Sequence, residues 1–205
     1  MLKVRLIPTL LLKDSRMIKT NQFGEYRDVG NPRTVAKVYD AQKADELIFL
    51  DIAATQENRH FLLETIETVA EECFMPLTAG GGIKNVAQAR EILQHGPDKI
   101  SINSAAIETP EFITELSQSF GKSTVIVSID FKKNASGKKE VFSHRGTVAT
   151  GLDPVMWAQE VEKRGAGEIL LTSIDREGTM TGYDLEMISA VTGAVSIPVI
   201  ASGGV

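Results

Sequence analysis

Apolar residues along the chain gather in short runs rich in β-branched side chains, at 4–12, 47–52, 77–79, 99–103, 124–130, 168–172 and 199–201. Between most of these runs the apolar positions recur at helical spacing, over 34–43, 59–72, 86–95, 110–120, 154–164 and 185–191. The pattern predicts seven strands alternating with helices, and therefore parallel strands joined by crossover helices. Several strands are apolar almost throughout, as expected when both faces are covered.

One strand and its turn occur twice. Pro76-Leu77-Thr78-Ala79-Gly80-Gly81-Gly82-Ile83 returns 122 positions later as Pro198-Val199-Ile200-Ala201-Ser202-Gly203-Gly204-Val205. Each copy runs from a proline through apolar residues into consecutive glycines, the form of a buried strand whose turn leaves backbone amides uncovered for an anion. A ligand-free strand-to-helix turn is the alternative. The self-match extends further, as repeat architectures require. Phe49-Leu50-Asp51 can be laid on Leu170-Leu171-Thr172 at an offset of 121, and residues 5–11 on 124–130 at 119.

Two matching halves, about 1–120 and 121–205, fit a single α/β domain spanning 1–205, a (βα)8 TIM barrel with a twofold internal repeat. Seven strands do not close such a barrel. The first half continues past its glycine turn into a helix, a strand and another helix, and the second half stops at that turn. The chain is therefore expected to be truncated after the seventh strand, lacking a C-terminal helix, strand and helix of a protein near the roughly 250 residues typical of the fold.

Composition narrows the setting. The 205 residues, 42% hydrophobic, suffice for one core, and a net charge of −5 gives no general attraction to nucleic acid or anionic membranes. Neither class of partner is expected. Cys73 is the single cysteine, which excludes an intrachain disulfide and suits a reducing, cytoplasmic setting; preceding Phe74-Met75-Pro76, it reads as a small buried side chain. The first residues, Met1-Leu2-Lys3-Val4-Arg5, form neither a signal-peptide core nor a membrane span. His60, His95 and His144 lie at unrelated spacings, so no metal site or cofactor is indicated. Phe61 and Trp157 fall in helical segments and read as packing residues.

Candidate chemistry sits where strands end, because those ends feed the catalytic face of this fold. Asp51, Asn103, Asp130, Thr172 and Ser202 are the candidates, with capping of the next helix as the alternative for each. Asp130 is foremost, since an apolar strand delivers a carboxyl suited to general acid or base work. Its repeat partner is Leu11, unless a slip in the alignment makes Asp14 the partner. Residues 16–30, with Lys19, Gly24, Arg27 and Asp28, read as a long polar loop, either a mobile lid or a solvated connection. Residues 175–182 form an analogous charged, glycine-containing loop, and 132–139 a solvated hairpin tip.

The stretches Phe49-Leu50-Asp51-Ile52, Gly80-Gly81-Gly82-Ile83, 98–106 and 165–176 closely resemble the cyclase subunit family of imidazole glycerol phosphate synthase (HisF). The resemblance implies a lyase of histidine biosynthesis in a glutamine amidotransferase system. Such a barrel pairs as a heterodimer with a HisH-like glutaminase and receives ammonia through an internal channel. The ammonia reacts with a phosphorylated ribulosyl substrate to give imidazole glycerol phosphate. By the same resemblance Arg5, Glu46, Lys99 and Glu168 form the ammonia gate, and Asp98 meets the glutaminase. Gly81, Gly82, Asn103 and Ser104 hold one phosphate, and Gly178, Gly203 and Gly204 the other. Asp130, Glu177 and Lys19 are the implied catalytic residues.

Departures from that family fall at the chemistry. Leu11 stands in place of a second catalytic aspartate, Glu177 replaces an auxiliary aspartate, and Ser15 and Thr20 stand where glycines are usual. Leu11-Leu12-Lys13 and Arg176-Glu177-Gly178-Thr179 are similar to a paralogous branch of surface-polysaccharide pathways, in which the barrel relays ammonia for acetamidino-sugar formation.

Overall fold

The computed structural model of the chain describes residues 4–54 and 63–205. They divide into two compact units, Met1–Lys19 with Arg27–Ser101 and Thr20–Tyr26 with Ile102–Val205.

In the first unit β1 (Thr9–Lys13), β2 (Arg16–Thr20), β3 (Tyr26–Gly30), α1 (Pro32–Ala41), β4 (Leu47–Asp51), α2 (Leu63–Ala70), β5 (Leu77–Gly80), α3 (Val86–Gln94) and β6 (Lys99–Ile102) follow in order. The sheet runs β3, β2, β1, β4, β5, β6, parallel from β1 to β6. Leu47, Ile48, Phe49 and Ile100 are fully buried, as are Ala36, Ile66 and Ala89 of the helices.

Local chemistry shifts the boundaries. The first strand starts at Thr9 rather than at residue 4, because Pro8 has no N–H to donate, although the carbonyls of Leu6 and Pro8 still accept from Asp45 and Ile48. Helix α1 starts two residues early because Asn31 caps it, accepting from the amides of Arg33 and Thr34, with Pro32 in the first turn. Residues 59–62 of the expected second helix, including His60 and Phe61, lie outside the described residues.

The expected loop at 16–30 is largely strand. Asp14 and Ser15, at φ 50° and 58°, make the two-residue turn that pairs Lys13 with Arg16 and folds β2 antiparallel onto β1. The Arg16 guanidinium grips both carboxylate oxygens of Asp28 at 2.7 and 3.0 Å.

The second unit contains α4 (Ser104–Glu108), α5 (Glu111–Phe120), β7 (Val125–Lys133), β8 (Lys139–Ser143), β9 (Val148–Ala149), α6 (Pro154–Lys163), β10 (Glu168–Ser173), α7 (Leu185–Ala194) and β11 (Val199–Ser202). Strands β7, β10 and β11 are parallel, and β8 and β9 extend antiparallel from β7. Residues 134–138 form the expected hairpin tip, organised by Asn134 Oδ1, which accepts from the amides of Ser136 and Lys138. The flanking lysines are not merely solvated. Lys132 lies over the Phe142 ring and donates to the Gly146 carbonyl, and Lys139 bridges Asp184 and Glu186 at 3.0 and 2.8 Å.

The fold class is α/β, with the alternation of a (βα)8 barrel carried through seven parallel strands among the described residues. No helix of the described residues is long and apolar enough to cross a membrane. Cys73 is buried, which pushes its thiol pKa up, and Trp157 is buried as a packing residue.

The ladders settle the repeat register. Leu47 pairs with Leu77 and Leu50 with Leu11; in the second unit Ile169 pairs with Val199 and Thr172 with Asp130. Since Leu77 and Val199 occupy the same place in the duplicated turn, Leu50 corresponds to Thr172 and Leu11 to Asp130. Residue β4 positions therefore match β10 at an offset of 122, which corrects the pairing of Asp51 with Thr172. Asp14, in its hairpin turn, is not the counterpart of Asp130. The glycines agree: a Cβ on Gly81 would strike the carbonyl oxygen of Asp51, and one on Gly203 that of Ser173.

Gly81→Ala and Gly203→Ala, at φ 113° and 87°, should each lower stability by about 3 kcal/mol or more in urea unfolding. Gly151→Ala, at φ 74° but with open space around it, should cost only about 1 kcal/mol. Equal losses at all three sites would remove the steric account.

Candidate active site

Strand β7 carries Ser128 and Asp130 two residues apart, so both project from the same face. Ser128 Oγ donates to Asp130 Oδ1 at 3.0 Å, and Asn103 Nδ2 donates to Oδ2 at 2.9 Å. Desolvation by the surrounding protein pushes the Asp130 pKa up to about 6, against the opposing pull of hydrogen bonds from Ser128 and Thr172. All three donors are neutral. Near pH 6 such a carboxyl can either give or take a proton, which suits general acid–base work. Ser128 was not singled out from the sequence; its signal is the two-residue period along β7.

Asn103 precedes α4, and Ser104 opens it. Ser104 Oγ accepts the backbone N–H of His144 at 3.0 Å, while the His144 ring lies 3.0 Å from Ser143 Oγ and 3.3 Å from a Glu108 carboxylate oxygen. The structure thus brings Asn103 to Asp130 and places Ser104 beside the β8 end.

Glu177 has a different set of neighbours. Its carboxylate accepts from Thr20 Oγ1 at 3.0 Å and from the Phe23 amide at 3.4 Å, and its carbonyl accepts from the Gln22 amide. Gln22 Nε2 donates to the Asp175 carbonyl at 2.7 Å. The tip between β2 and β3 is therefore docked on the loop after β10. Gly178 permits this approach, since a Cβ there would come within 2.6 Å of the Thr20 carbonyl oxygen. Lys19 lies on β2 in the first unit, partly exposed.

In the first unit, Glu46 is buried and its carboxylate meets both Arg5 and Lys99, the latter at 2.9 Å. Three of the four expected gate residues thus converge. Glu168, at the start of β10 in the second unit, is also buried. Asp98 accepts from the Leu77 amide at 2.8 Å while its own N–H donates to the Leu77 carbonyl, fixing the entry to β5.

Among the other strand-end candidates, Asp51 Oδ1 accepts from the amides of Ala53 and Ala54 at 3.2 Å each, closing a local turn after β4 rather than capping a helix. Gly81 and Gly82, at φ 113° and 70°, and Gly203 and Gly204, at 87° and 114°, form two like turns. In the second, the Gly204 carbonyl accepts the Gly182 N–H at 2.8 Å. Among the described residues no group of three or more His, Cys, Asp or Glu is placed to hold a metal.

With this geometry in hand, comparison with known families gives a match over residues 5–205 to the model of a family described as "Histidine biosynthesis protein".

The raised pKa of Asp130 has a measurable sign. The folded protein holds this proton more tightly than the unfolded chain, so its stabilising contribution is full below the ordinary aspartate value of 3.8 and is lost as pH rises through about 6. Asp130→Asn cannot titrate. Relative to the parent, it should gain up to about 3 kcal/mol between pH 4 and pH 7.5 in urea denaturation. A difference that stays constant across that interval would rule out the raised pKa.

Proposed function

Because the chain belongs to the histidine biosynthesis protein family, we propose that it is the ammonia-receiving cyclase subunit of an imidazole glycerol phosphate synthase, a lyase of histidine biosynthesis. The observation that carries this reading is the enclosed Asp130 carboxyl, held by neutral donors at a pKa near 6. Asp130 moves the protons of ring closure and cleavage on a phosphorylated ribulosyl substrate, with Glu177 and Lys19 assisting. Ammonia enters past Arg5, Glu46, Lys99 and Glu168 from a cytoplasmic glutaminase partner that docks near Asp98. The glycine turns at Gly81-Gly82 and Gly203-Gly204, with Ser104 and Gly178, hold the two phosphates through backbone and hydroxyl donors. No cofactor takes part in this scheme.

A second reading is favoured by one observation. Leu11 corresponds by ladder register to Asp130, and Leu50 to Thr172, so one half of the pseudo-symmetric site has leucines where the other has a carboxyl and a hydroxyl. An apolar side chain cannot move a proton. On this reading the barrel relays ammonia to a partner that forms an acetamidino sugar in surface-polysaccharide synthesis, with little cyclisation of its own.

Ammonium and the ribulosyl substrate, supplied to the full-length protein, separate the two. Turnover at ordinary enzymatic rates, lowered about 10²- to 10⁴-fold by Asp130→Asn, supports the cyclase and sinks the relay. Absence of turnover, with recovery in Leu11→Asp, supports the relay. Lys99→Ala should lower glutamine-dependent activity while leaving the ammonium-driven reaction less affected.

A further inference from the structure

The tip at residues 20–26 groups with the second unit and is seated there by polar contacts. Thr20 Oγ1 and the Phe23 amide donate to Glu177 Oε2 at 3.0 and 3.4 Å, the Gln22 amide donates to the Glu177 carbonyl at 3.0 Å, and Gln22 Nε2 donates to the Asp175 carbonyl at 2.7 Å. In these four bonds every donor is on the tip and every acceptor is on the loop after β10. Two glycines leave room for the seat. A Cβ on Gly178 would lie 2.6 Å from the Thr20 carbonyl oxygen, and one on Gly146 would lie 3.2 Å from the Phe23 ring.

Other features oppose docking. Gln22 and Phe23 take left-handed conformations, at φ 51° and 60°, whose cost for non-glycine residues is of the same order as the net gain from a few hydrogen bonds. Asn21, Gln22, Gly24, Glu25 and Tyr26 are exposed; Thr20 is buried and Phe23 half-buried. The tip therefore rests on polar contacts set against backbone strain, with little apolar burial. That is the balance of a segment that opens locally while the core stays folded.

Docking also engages a group that has other chemistry to do. The Glu177 carboxylate, which assists proton transfer in the function proposed above, gives Oε2 to Thr20 and Phe23 of the tip. We propose that the tip is an autoinhibitory latch: docked, it withholds the Glu177 carboxylate, and only molecules with the tip released have that carboxylate free to act. The latch itself stands apart from the reaction, and its consequence for catalysis rests on the role proposed for Glu177.

Hydrogen exchange and carbodiimide labelling of carboxylates, both read by mass spectrometry on the full-length protein without substrate, test the latch. Thr20→Val removes the hydroxyl at nearly equal volume and suits a strand end, and Gln22→Ala changes an exposed residue. In the parent, the amides of 20–26 should be protected yet exchange about a hundredfold faster than those of β7. Each variant should speed exchange of 20–26 about tenfold and raise labelling of Glu177 about as much, with β7 exchange and labelling of the exposed Glu186 unchanged. Tip amides that exchange as slowly as β7, or show no protection, would overturn the latch. Variants that leave exchange unchanged, or speed it without added labelling of Glu177, would overturn it as well. Turnover with ammonium separates withholding from positioning: a rise in Thr20→Val supports the latch, and a fall makes Thr20 a positioning residue instead. A parent without turnover counts against the cyclase alone, because exchange and labelling still decide the latch.

Discussion

Register in this chain is held where a glycine at the end of one strand lies against the carbonyl of the strand beside it. Gly81 presses on Asp51 in the first unit and Gly203 on Ser173 in the second, so neither ladder can slip without driving a Cβ-free position onto a bulkier neighbour. A one-residue slip of β7 against β10 would likewise turn Asp130 to the opposite face of the sheet and dissolve its hydrogen bonds with Thr172 and Asn103. The same register equates Leu11 with Asp130. The inequality of the two half-sites is thus a property of the ladders and not of how the sequences are laid side by side.

Glu46 and Asp130 are handled in opposite ways. Glu46 is flanked by two cations, an arrangement that favours a fixed charge. Asp130 has only a hydroxyl from its own strand, another from β10 and an amide from Asn103. Neutral donors orient it but do not offset the cost of burying its charge, so its proton is available at ordinary pH.

The seven parallel strands were legible because an apolar run covered on both faces cannot be mistaken for a solvated segment. Strand β3 was not legible: Tyr26, Arg27, Asp28 and Val29 are exposed, and what makes them a strand is pairing rather than burial. Asp130 could be read from its place after Val125-Ile126-Val127. The behaviour of Asn103 could not, since local preference says that an asparagine before a helix should cap it, and only tertiary structure shows the side chain turned away. The contact between Thr20 and Glu177 spans 157 positions and has no local signature.

That contact joins two of the places where the chain departs from the family it resembles. Glutamate at 177 is one methylene longer than the usual aspartate, and threonine at 20 adds a hydroxyl that the usual glycine lacks. Each change supplies half of one hydrogen bond. Removing the Thr20 hydroxyl would leave the Glu177 carboxylate with the Phe23 amide as its remaining described donor, so the effects of changes at the two positions should not add. The tip of the β2–β3 connection and the loop after β10 therefore behave as one energetic unit though they are far apart in sequence.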